Sequence, residues 1–257
     1  MANGDVQLIT WWLKEAGQIA LSCFNQPQVD FKHDNSPVTQ ADRDIESLLV
    51  ERIKKAYPDH GILAEEGTNV KGVEYLWALD PIDGTRAFSV GLPFWGIAIG
   101  LLRQSRPLTG AYYMPYLNEM YWATETDGPY FNDRLLRGAI ATEWDDRLRF
   151  LAVPSNAHQV YDIGFPRTRA LGSTVAHLVY VARGAAIGAL LRRVSLWELA
   201  AGLPILQRAG GAIRYLSGAP VDIGLLMDGR PAPEPIVAAH PDLIERLSKC
   251  IEVKAVE

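Results

Sequence analysis

Carboxylates stand at the ends of two apolar segments of the sequence, at a spacing that could support metal chemistry. Glu65 follows the segment Ile62–Ala64, and Asp80 and Asp83 follow the segment Tyr75–Leu79. Strands that end in acids at one sheet edge bring their carboxylates together, and only cations make such a cluster tolerable. Oxygen ligands without a nearby His or Cys favour Mg²⁺ over zinc. The two segments together predict a magnesium site.

The residues around the second segment also fit the cleavage of a phosphate ester. Asp80 and Asp83 lie three positions apart, and Pro81 between them holds the turn, so both side chains can face one site. Gly84 lets the backbone approach a ligand closely, and a helix that began near Thr85 would present free N–H groups to a phosphate. Two or more metal ions could then activate water, neutralise phosphate charge and stabilise the leaving oxygen.

Each acidic segment also has a simpler interpretation. An Asp-x-x-Asp-Gly-Thr sequence by itself is more often a polar turn, and Glu65-Glu66 alone is more often a solvated loop. An EF-hand loop is excluded, because its alternating acids and its twelfth-position Glu are missing. The two segments in this order are far more specific for a metal site than either one alone.

The elements that would position these acids can be predicted from periodicity. Helical spacing indicates an opening helix from Val6 to Cys23 and a second from Gln40 to Tyr57, the latter with Thr39 as N-cap and Asp42 completing a capping box. Strands are predicted at Gly61–Ala64, Tyr75–Leu79, Gly96–Leu102, Thr109–Met114, Glu119–Thr124, Arg149–Val153, Ala186–Leu191 and Ala212–Leu216. Further helices are predicted at Thr174–Arg183, Ser195–Ala209 and His240–Val253.

This order of elements predicts an α+β fold with mixed layers rather than a regular βαβ alternation. We expect an N-terminal α+β half, residues 1–140, that carries the main metal motifs. A C-terminal α/β half, residues 141–257, would close the active site.

The bulk properties exclude several classes of protein. The 257 residues carry a net charge of −5 with no basic run, which argues against nucleic-acid binding. Cys23 and Cys250 form neither a metal-spaced pair nor a disulfide framework. We find no signal peptide and no apolar stretch of membrane-spanning length, so a cytoplasmic location is expected.

With these residues identified, the chain resembles the inositol monophosphatase family of metal-dependent phosphatases. The resemblance covers most of the chain, and its most specific motif is Trp77–Thr85. Further matching motifs are Ser36–Asp42, Ala64–Gly67 and Ser195–Gly202, the last followed by Ala209–Gly211. The resemblance implies a layered α/β/α/β/α sandwich of the inositol monophosphatase and fructose-1,6-bisphosphatase type, commonly assembled as a homodimer.

The resemblance also implies a role for each matching position. It assigns Thr85 and Asp42 to relaying the proton of the attacking water, and Gly84, Thr85, Gly172 and Thr174 to the phosphate and substrate. The implied metal ligands for two or three Mg²⁺ ions are Glu65, Asp80, the Ile82 carbonyl, Asp83 and Glu198. Glu65 is also counted with the catalytic residues. The implied mechanism is in-line attack by metal-activated water on a small phosphomonoester, with sensitivity to lithium.

Two departures from the family pattern bear on the substrate. The family has Asp where this chain has Glu198, whose extra methylene could alter metal binding. Inositol-cleaving members usually carry an acid at the position of Leu191, and an apolar side chain cannot accept a hydrogen bond from a sugar hydroxyl. Arg192 and Arg193, which follow it, could recognise a second anionic group or could simply be solvated.

Several substrates and one other class of protein therefore stay open. Inositol 1-phosphate is the default substrate, and histidinol phosphate is the main alternative on the likeness of Ser36–Thr39 and Asp83–Phe88 to that branch. Fructose 1,6-bisphosphate and 3′-phosphonucleotides follow. A catalytically weakened relative with a binding or regulatory role is the alternative of another class, suggested by Glu198 and Leu191.

Overall fold

The structure, a computed structural model, describes residues 3–25, 28–32, 36–72 and 74–254. The helices are α1 (Asn3–Cys23), α2 (Gln40–Ala56), α3 (Thr85–Ser89), α4 (Ala157–Val160), α5 (Thr174–Ala182), α6 (Leu196–Arg208) and α7 (Pro241–Ser248). Short 3₁₀ turns occur at Pro115–Leu117 and Ile223–Leu226. No helix among the described residues is both long enough and apolar enough to cross a membrane.

Strands form one large sheet, one smaller sheet and two short ladders. The short ladders are β1 (Val29–Phe31) with β2 (Pro37–Thr39), and β12 (Tyr161–Ile163) with β17 (Ile251–Val253). The large sheet contains β3 (Gly61–Ala64), β4 (Asn69–Val70), β5 (Tyr75–Asp83), β6 (Gly96–Arg103), β7 (Arg106–Met114), β8 (Glu119–Thr124), β9 (Tyr130–Phe131) and β10 (Arg134–Leu135). The smaller sheet contains β11 (Phe150–Ala152), β13 (Thr168–Arg169), β14 (Ala186–Leu191), β15 (Ala212–Tyr215) and β16 (Ile236–Ala239).

These elements stack in five layers. Helices α1 and α2 bury their apolar faces, including Leu13 and Leu49, against Trp77 on one face of the large sheet. Helices α5 and α6 lie between the two sheets, and α7 covers the outer face of the smaller sheet through Leu243 and Leu247. The predicted α+β sandwich is confirmed. The division into residues 1–140 and 141–257 stays a prediction.

Close packing fixes α6 against the large sheet. A Cβ atom at Gly100 or Gly110 would overlap the backbone of Ala200 or Ala201 on this helix. The two glycines therefore let α6 seat directly on β6 and β7. Since Glu198 lies in the first turn of α6, this contact also sets the position of that carboxylate.

Three predictions about the elements need correction. Strand β5 continues past Leu79 to Asp83, with a register shift against β6 between Asp80 and Asp83, because the apolar run of β6 keeps pairing with it. The predicted closing helix ends at Ser248, and the β-branched residues that follow form β17 instead. Several short elements were not predicted at all, namely β1, β2, β4, β10, α4, β12, β13 and β16.

Candidate active site

The predicted site residues come together around one cavity of about 670 Å³, which we call the acidic pocket. Its lining residues are Lys32, Ser36, Glu65, Asp80, Ile82, Asp83, Gly84, Thr85, Gly172, Thr174, Arg193, Ser195, Trp197, Glu198 and Pro231. Every site residue predicted from the sequence is in this set except Asp42, which lies behind Thr85. The pocket forms where β3, β5 and the first turns of α5 and α6 meet.

Asp80 is the most deeply placed acid of the acidic pocket. Its side chain is 2% exposed, and its Oδ1 atom has no hydrogen-bond partner among the described residues. Burial raises the pKa of Asp80 well above its usual range, and the charges of Glu65, Asp83 and Glu198 raise it further. An unpaired carboxylate oxygen surrounded by other acids needs a cation or a proton, so these residues fit a metal ion.

Asp83 links the end of β5 to the start of α5. Its Oδ1 accepts the Thr174 N–H at 2.9 Å, and its Oδ2 accepts the Val175 N–H at 2.9 Å and the Ser173 hydroxyl. The Ser173 hydroxyl in turn contacts the buried Tyr112 hydroxyl at 2.8 Å. Burial raises the pKa of Asp83 to about 6, and the hydrogen bonds from Ser173 and α5 oppose that rise.

Glu198 lies at the third position of α6, where it closes a capping box with Ser195. Its Oε2 accepts the Ser195 N–H at 2.7 Å. Burial raises the pKa of Glu198 to about 8, with a further contribution from the negative charge of Asp83. The longer side chain of Glu is therefore held by its own helix while it lines the acidic pocket.

Lys32 is a basic residue in the lining of the acidic pocket. Its ammonium group contacts Glu65 Oε1 at 3.0 Å and Glu66 Oε1 at 2.7 Å. The backbone N–H of Glu66 is in turn held by Glu46. Lys32 thus lines the acidic pocket and is paired there, and both carboxylates of the Glu65-Glu66 segment are engaged.

These internal partners explain how the carboxylates are arranged. Within residues 3–25, 28–32, 36–72 and 74–254, no three His, Cys, Asp or Glu side chains converge closely enough to enclose a metal ion. Oxygen atoms of Glu65, Asp83 and Glu198 are taken by Lys32, by α5 and by Ser195 respectively. A cation in the acidic pocket would therefore have to compete with these donors. The assignment of individual ligands stays a prediction.

The Thr85 hydroxyl lies between the acidic pocket and the buried carboxyl of Asp42. It donates to the Ile82 carbonyl at 3.0 Å and lies 3.5 Å from Asp42 Oδ1. The other oxygen of Asp42 accepts the N–H and the hydroxyl of Thr39, which confirms the predicted capping box. Burial raises the pKa of Asp42 to about 6, so this carboxyl can exchange a proton near neutral pH.

Two glycines line the acidic pocket next to Asp83. Gly84 has φ 95°, and a Cβ atom there would lie 3.1 Å from the Gly172 carbonyl oxygen and from Ser173 Cβ. Gly172 also has a left-handed φ, of 91°. Only glycine combines this conformation with so little space. The site therefore brings the chain at Gly84 directly against the loop before α5.

The structure places Leu191 differently from the other predicted positions. It is 2% exposed and lies outside the acidic pocket, but it lines a smaller cavity of about 150 Å³. That cavity shares Gly172 and Thr174 with the acidic pocket and also contains Arg192. The smaller cavity, which adjoins the acidic pocket at Gly172 and Thr174, is thus partly lined by apolar side chains.

Sequence reasoning missed one contributor to the site. Tyr112 reads as one apolar position in a buried strand, and nothing in the sequence indicates that its hydroxyl supports Ser173 behind Asp83. Ser173 lies between Gly172 and Thr174, in the segment that the resemblance places at the substrate, but its bond to Asp83 was not predicted.

Comparison with known proteins decides the family. The sequence profile described as "Inositol monophosphatase family" matches residues 6–252. The chain belongs to the inositol monophosphatase family. It is accordingly a phosphoric monoester hydrolase, and the family is generally metal-dependent.

Individual members of the inositol monophosphatase family match over most of their length. An inositol-1-monophosphatase of Rhizobium meliloti is 32% identical over 85% of this chain and 86% of its own length. A histidinol-phosphatase of Chlorobaculum parvum is 33% identical over 80% of this chain and 84% of its own length. Among solved structures, the IMPase of Thermotoga maritima superposes with a TM-score of 0.83 at 25% identity, covering 97% of this chain and 96% of that one. The likeness thus extends to the whole described fold.

Proposed function

We propose that the protein is a Mg²⁺-dependent phosphomonoesterase that hydrolyses a small phosphorylated polyol of the inositol 1-phosphate type. The observation that carries the proposal is the buried, unpartnered Oδ1 atom of Asp80 among three further acids that line the same cavity. A carboxylate in this position is costly unless a cation occupies the site. A phosphate ester is the matching substrate, because its own negative charge needs such a cation.

The residues that would hold two or three Mg²⁺ ions are Glu65, Asp80, the Ile82 carbonyl, Asp83 and Glu198. When bound there, Mg²⁺ would activate the attacking water, neutralise phosphate charge and stabilise the leaving oxygen. Burial keeps the pKa values of Asp83 and Glu198 above their usual range, so protons compete with the metal at these positions. The donor set is made of oxygen atoms, which Mg²⁺ prefers.

The chain's own groups supply the proton transfer and the substrate contacts. The Thr85 hydroxyl can pass a proton toward Asp42, whose raised pKa of about 6 suits it to accept one near neutral pH. The N–H groups of Gly84 and Thr85 would bind the phosphate oxygens. Gly172 and Thr174, which line the same pocket next to Gly84 and Asp83, would contact the polyol.

We expect substrate choice to depend on the residues of the smaller cavity next to Thr174, which includes Leu191. The buried Leu191 offers no acceptor for a ring hydroxyl, which weakens the fit to inositol itself. Histidinol phosphate, fructose 1,6-bisphosphate and 3′-phosphonucleotides are the alternative substrates. A likeness of 33% to a histidinol-phosphatase supports the first of these. Homodimer assembly, a cytoplasmic location and lithium sensitivity stay predictions.

Phosphate release from these four substrates, measured with Mg²⁺ and with EDTA, tests the proposal. We expect Mg²⁺-dependent turnover of at least one substrate. Asp80→Asn should abolish it, whereas Asp228→Asn should leave it unchanged, because Asp228 is an exposed acid paired with Arg230. Isothermal titration with Mg²⁺ tests the metal separately. No phosphate release together with no heat of Mg²⁺ binding at millimolar concentration would instead favour a binding or regulatory relative.

A further inference from the structure

Arg193 is a charged lining residue of the acidic pocket that the proposed reaction does not use. It lies in the connection between β14, which ends at Leu191, and α6, which begins at Leu196. Its backbone adopts φ 56°, a left-handed conformation that non-glycine residues seldom adopt. Arg193 is thus an exposed residue of the pocket lining, in a turn between the two elements.

Arg193 differs from two other basic residues near the acidic pocket, because those residues have ion-pair partners. Among the described lining residues of the acidic pocket, the basic ones are Lys32 and Arg193. Lys32 is already bound to Glu65 and Glu66. Arg193 makes no hydrogen bond or ion pair with any residue in the described part of the chain. The nearby Arg230, in contrast, is bound to Asp228 at 2.6 Å.

The next residue along the chain also differs from Arg193. Arg192 lies outside the acidic pocket and lines the smaller cavity that contains Leu191. Burial raises the pKa of the Tyr161 phenol, and the guanidinium of Arg192 beside it acts in the opposite direction. Arg192 thus has a partner within the protein, whereas Arg193 lines the acidic pocket and has no such partner among the described residues.

The distribution of charge in the acidic pocket indicates which kind of group Arg193 could bind. The acids Glu65, Asp80, Asp83 and Glu198 would hold the cations that bind the phosphate ester. An anionic group elsewhere on the same substrate needs a separate positive charge, and the planar guanidinium binds phosphate or carboxylate through two parallel hydrogen bonds. The cavity of about 670 Å³ has the size of a site for such a small molecule.

We infer that Arg193 binds a second anionic group, phosphate or carboxylate, on the leaving-group side of the substrate. The inference rests on the proposed phosphomonoesterase function and narrows its substrate class. It makes Arg193 a specificity-determining residue.

Two pairs of substrates that differ only in the second charge test this inference. Fructose 1,6-bisphosphate is compared with fructose 1-phosphate, and 3-phosphoglycerate is compared with glycerol 3-phosphate. We expect a higher kcat/KM for the doubly anionic member of at least one pair, expressed mainly in KM. The pair that shows the preference tells whether the second group is a phosphate or a carboxylate.

Three variants assign the preference to Arg193. Arg193→Gly should lower kcat/KM for the preferred doubly anionic substrate by about tenfold to hundredfold, as expected for loss of a charged hydrogen-bonding partner. It should change kcat/KM for the singly charged member by less than about twofold, since that substrate lacks the second group. Glycine accepts the left-handed φ without strain, so this variant is expected to fold, which thermal unfolding checks. Arg193→Lys should restore part of the preference, and Arg230→Ala should keep all of it.

Each other outcome overturns the inference. An equal loss in Arg230→Ala would show a general effect of surface charge rather than binding by Arg193. Equal kcat/KM for both members of both pairs, or a preference that survives Arg193→Gly, would show that no second anion is bound there while leaving the phosphomonoesterase function standing. Absence of turnover with all of these substrates and with the panel above would overturn the proposed function itself and the inference with it.

Discussion

The Asp83 carboxylate accepts the backbone N–H of Thr174 at 2.9 Å, across a sequence separation of 91 residues. Asp83 ends β5 of the large sheet, and Thr174 begins α5, the helix that lies between the two sheets. One side chain therefore closes the acidic pocket and joins the large sheet to the middle layer. We therefore expect activity and stability to be coupled at Asp83.

Asp83→Asn should abolish turnover and also lower the melting temperature. The amide has one acceptor oxygen where the carboxylate has two, so it leaves at least one of the buried donors on α5 without a partner. An unsatisfied buried donor costs about 1–3 kcal/mol of unfolding free energy. Steady-state phosphate release and thermal unfolding measure the two effects.

A second variant separates the proposed role of Asp83 in turnover from its structural role at the start of α5. Ser173→Ala removes one donor to Asp83 but keeps the carboxylate, so it should lower stability while turnover falls by less than about tenfold. If Ser173→Ala lost as much turnover as Asp83→Asn at a similar melting temperature, the Asp83 carboxylate would be structural rather than part of the reaction.

Thr85→Val should reduce kcat by about 10²–10⁴-fold, the usual contribution of a positioned proton-transfer group. Valine keeps the shape of the side chain but removes the hydroxyl that contacts the Ile82 carbonyl and faces Asp42. Thr85→Ser should keep most of the activity, because it retains the hydroxyl. The comparison needs kcat at saturating substrate and Mg²⁺. Activity of Thr85→Val within threefold of the unmodified protein would rule out the proposed proton relay.

Much of the fold could be predicted from local patterns. The capping box of Thr39 and Asp42, the helix start at Ser195 and the buried strand β6 each follow from signals within a few residues. The short strands could not be predicted, because β12 and β17 form only by pairing with each other across 88 or more residues. Elements of three residues carry too little periodicity to be recognised without their partners.

Prediction of the candidate site from the sequence was limited in the same way. Motif spacing brought Glu65, Asp80, Asp83 and Glu198 to one pocket, since each motif is local and the resemblance supplies their common fold. The contacts of Lys32 with Glu65 and of Ser173 with Asp83 could not be predicted, because they form through tertiary packing. The contact of Ser195 with Glu198 is local to the start of α6. The hydroxyl of Tyr112 behind Ser173 is likewise visible only in three dimensions.

Glu198→Asp should tighten Mg²⁺ binding without loss of the helix cap. Asp42 already performs the same capping role at the third position of α2, where its Oδ2 accepts the Thr39 N–H at 2.7 Å. An aspartate at position 198 can therefore also close its capping box, while the shorter side chain places the second oxygen differently. The Mg²⁺ concentration at half-maximal activity is the measurement. Glu198→Gln serves as control and should weaken Mg²⁺ binding, and an unchanged Mg²⁺ dependence in Glu198→Asp would show that the longer side chain is already accommodated.

Stabilisation of the protein by Mg²⁺ should increase as the pH rises. Burial raises the pKa of Asp83 to about 6 and that of Glu198 to about 8, from usual values of 3.8 and 4.5. Between the usual pKa values and the raised ones, that is from about pH 4 to about pH 8, the folded chain binds more protons than the unfolded chain. Without metal, the stability of the protein therefore falls as the pH rises through this range. Mg²⁺ binds the ionised carboxylates and offsets the loss, so the melting-temperature difference between Mg²⁺ and EDTA should be larger at pH 8.5 than at about pH 5.5. Glu198→Gln should flatten the decline measured in EDTA, since the amide does not titrate. A Mg²⁺-induced shift of equal size at both pH values would contradict the assignment of Asp83 and Glu198 to the metal.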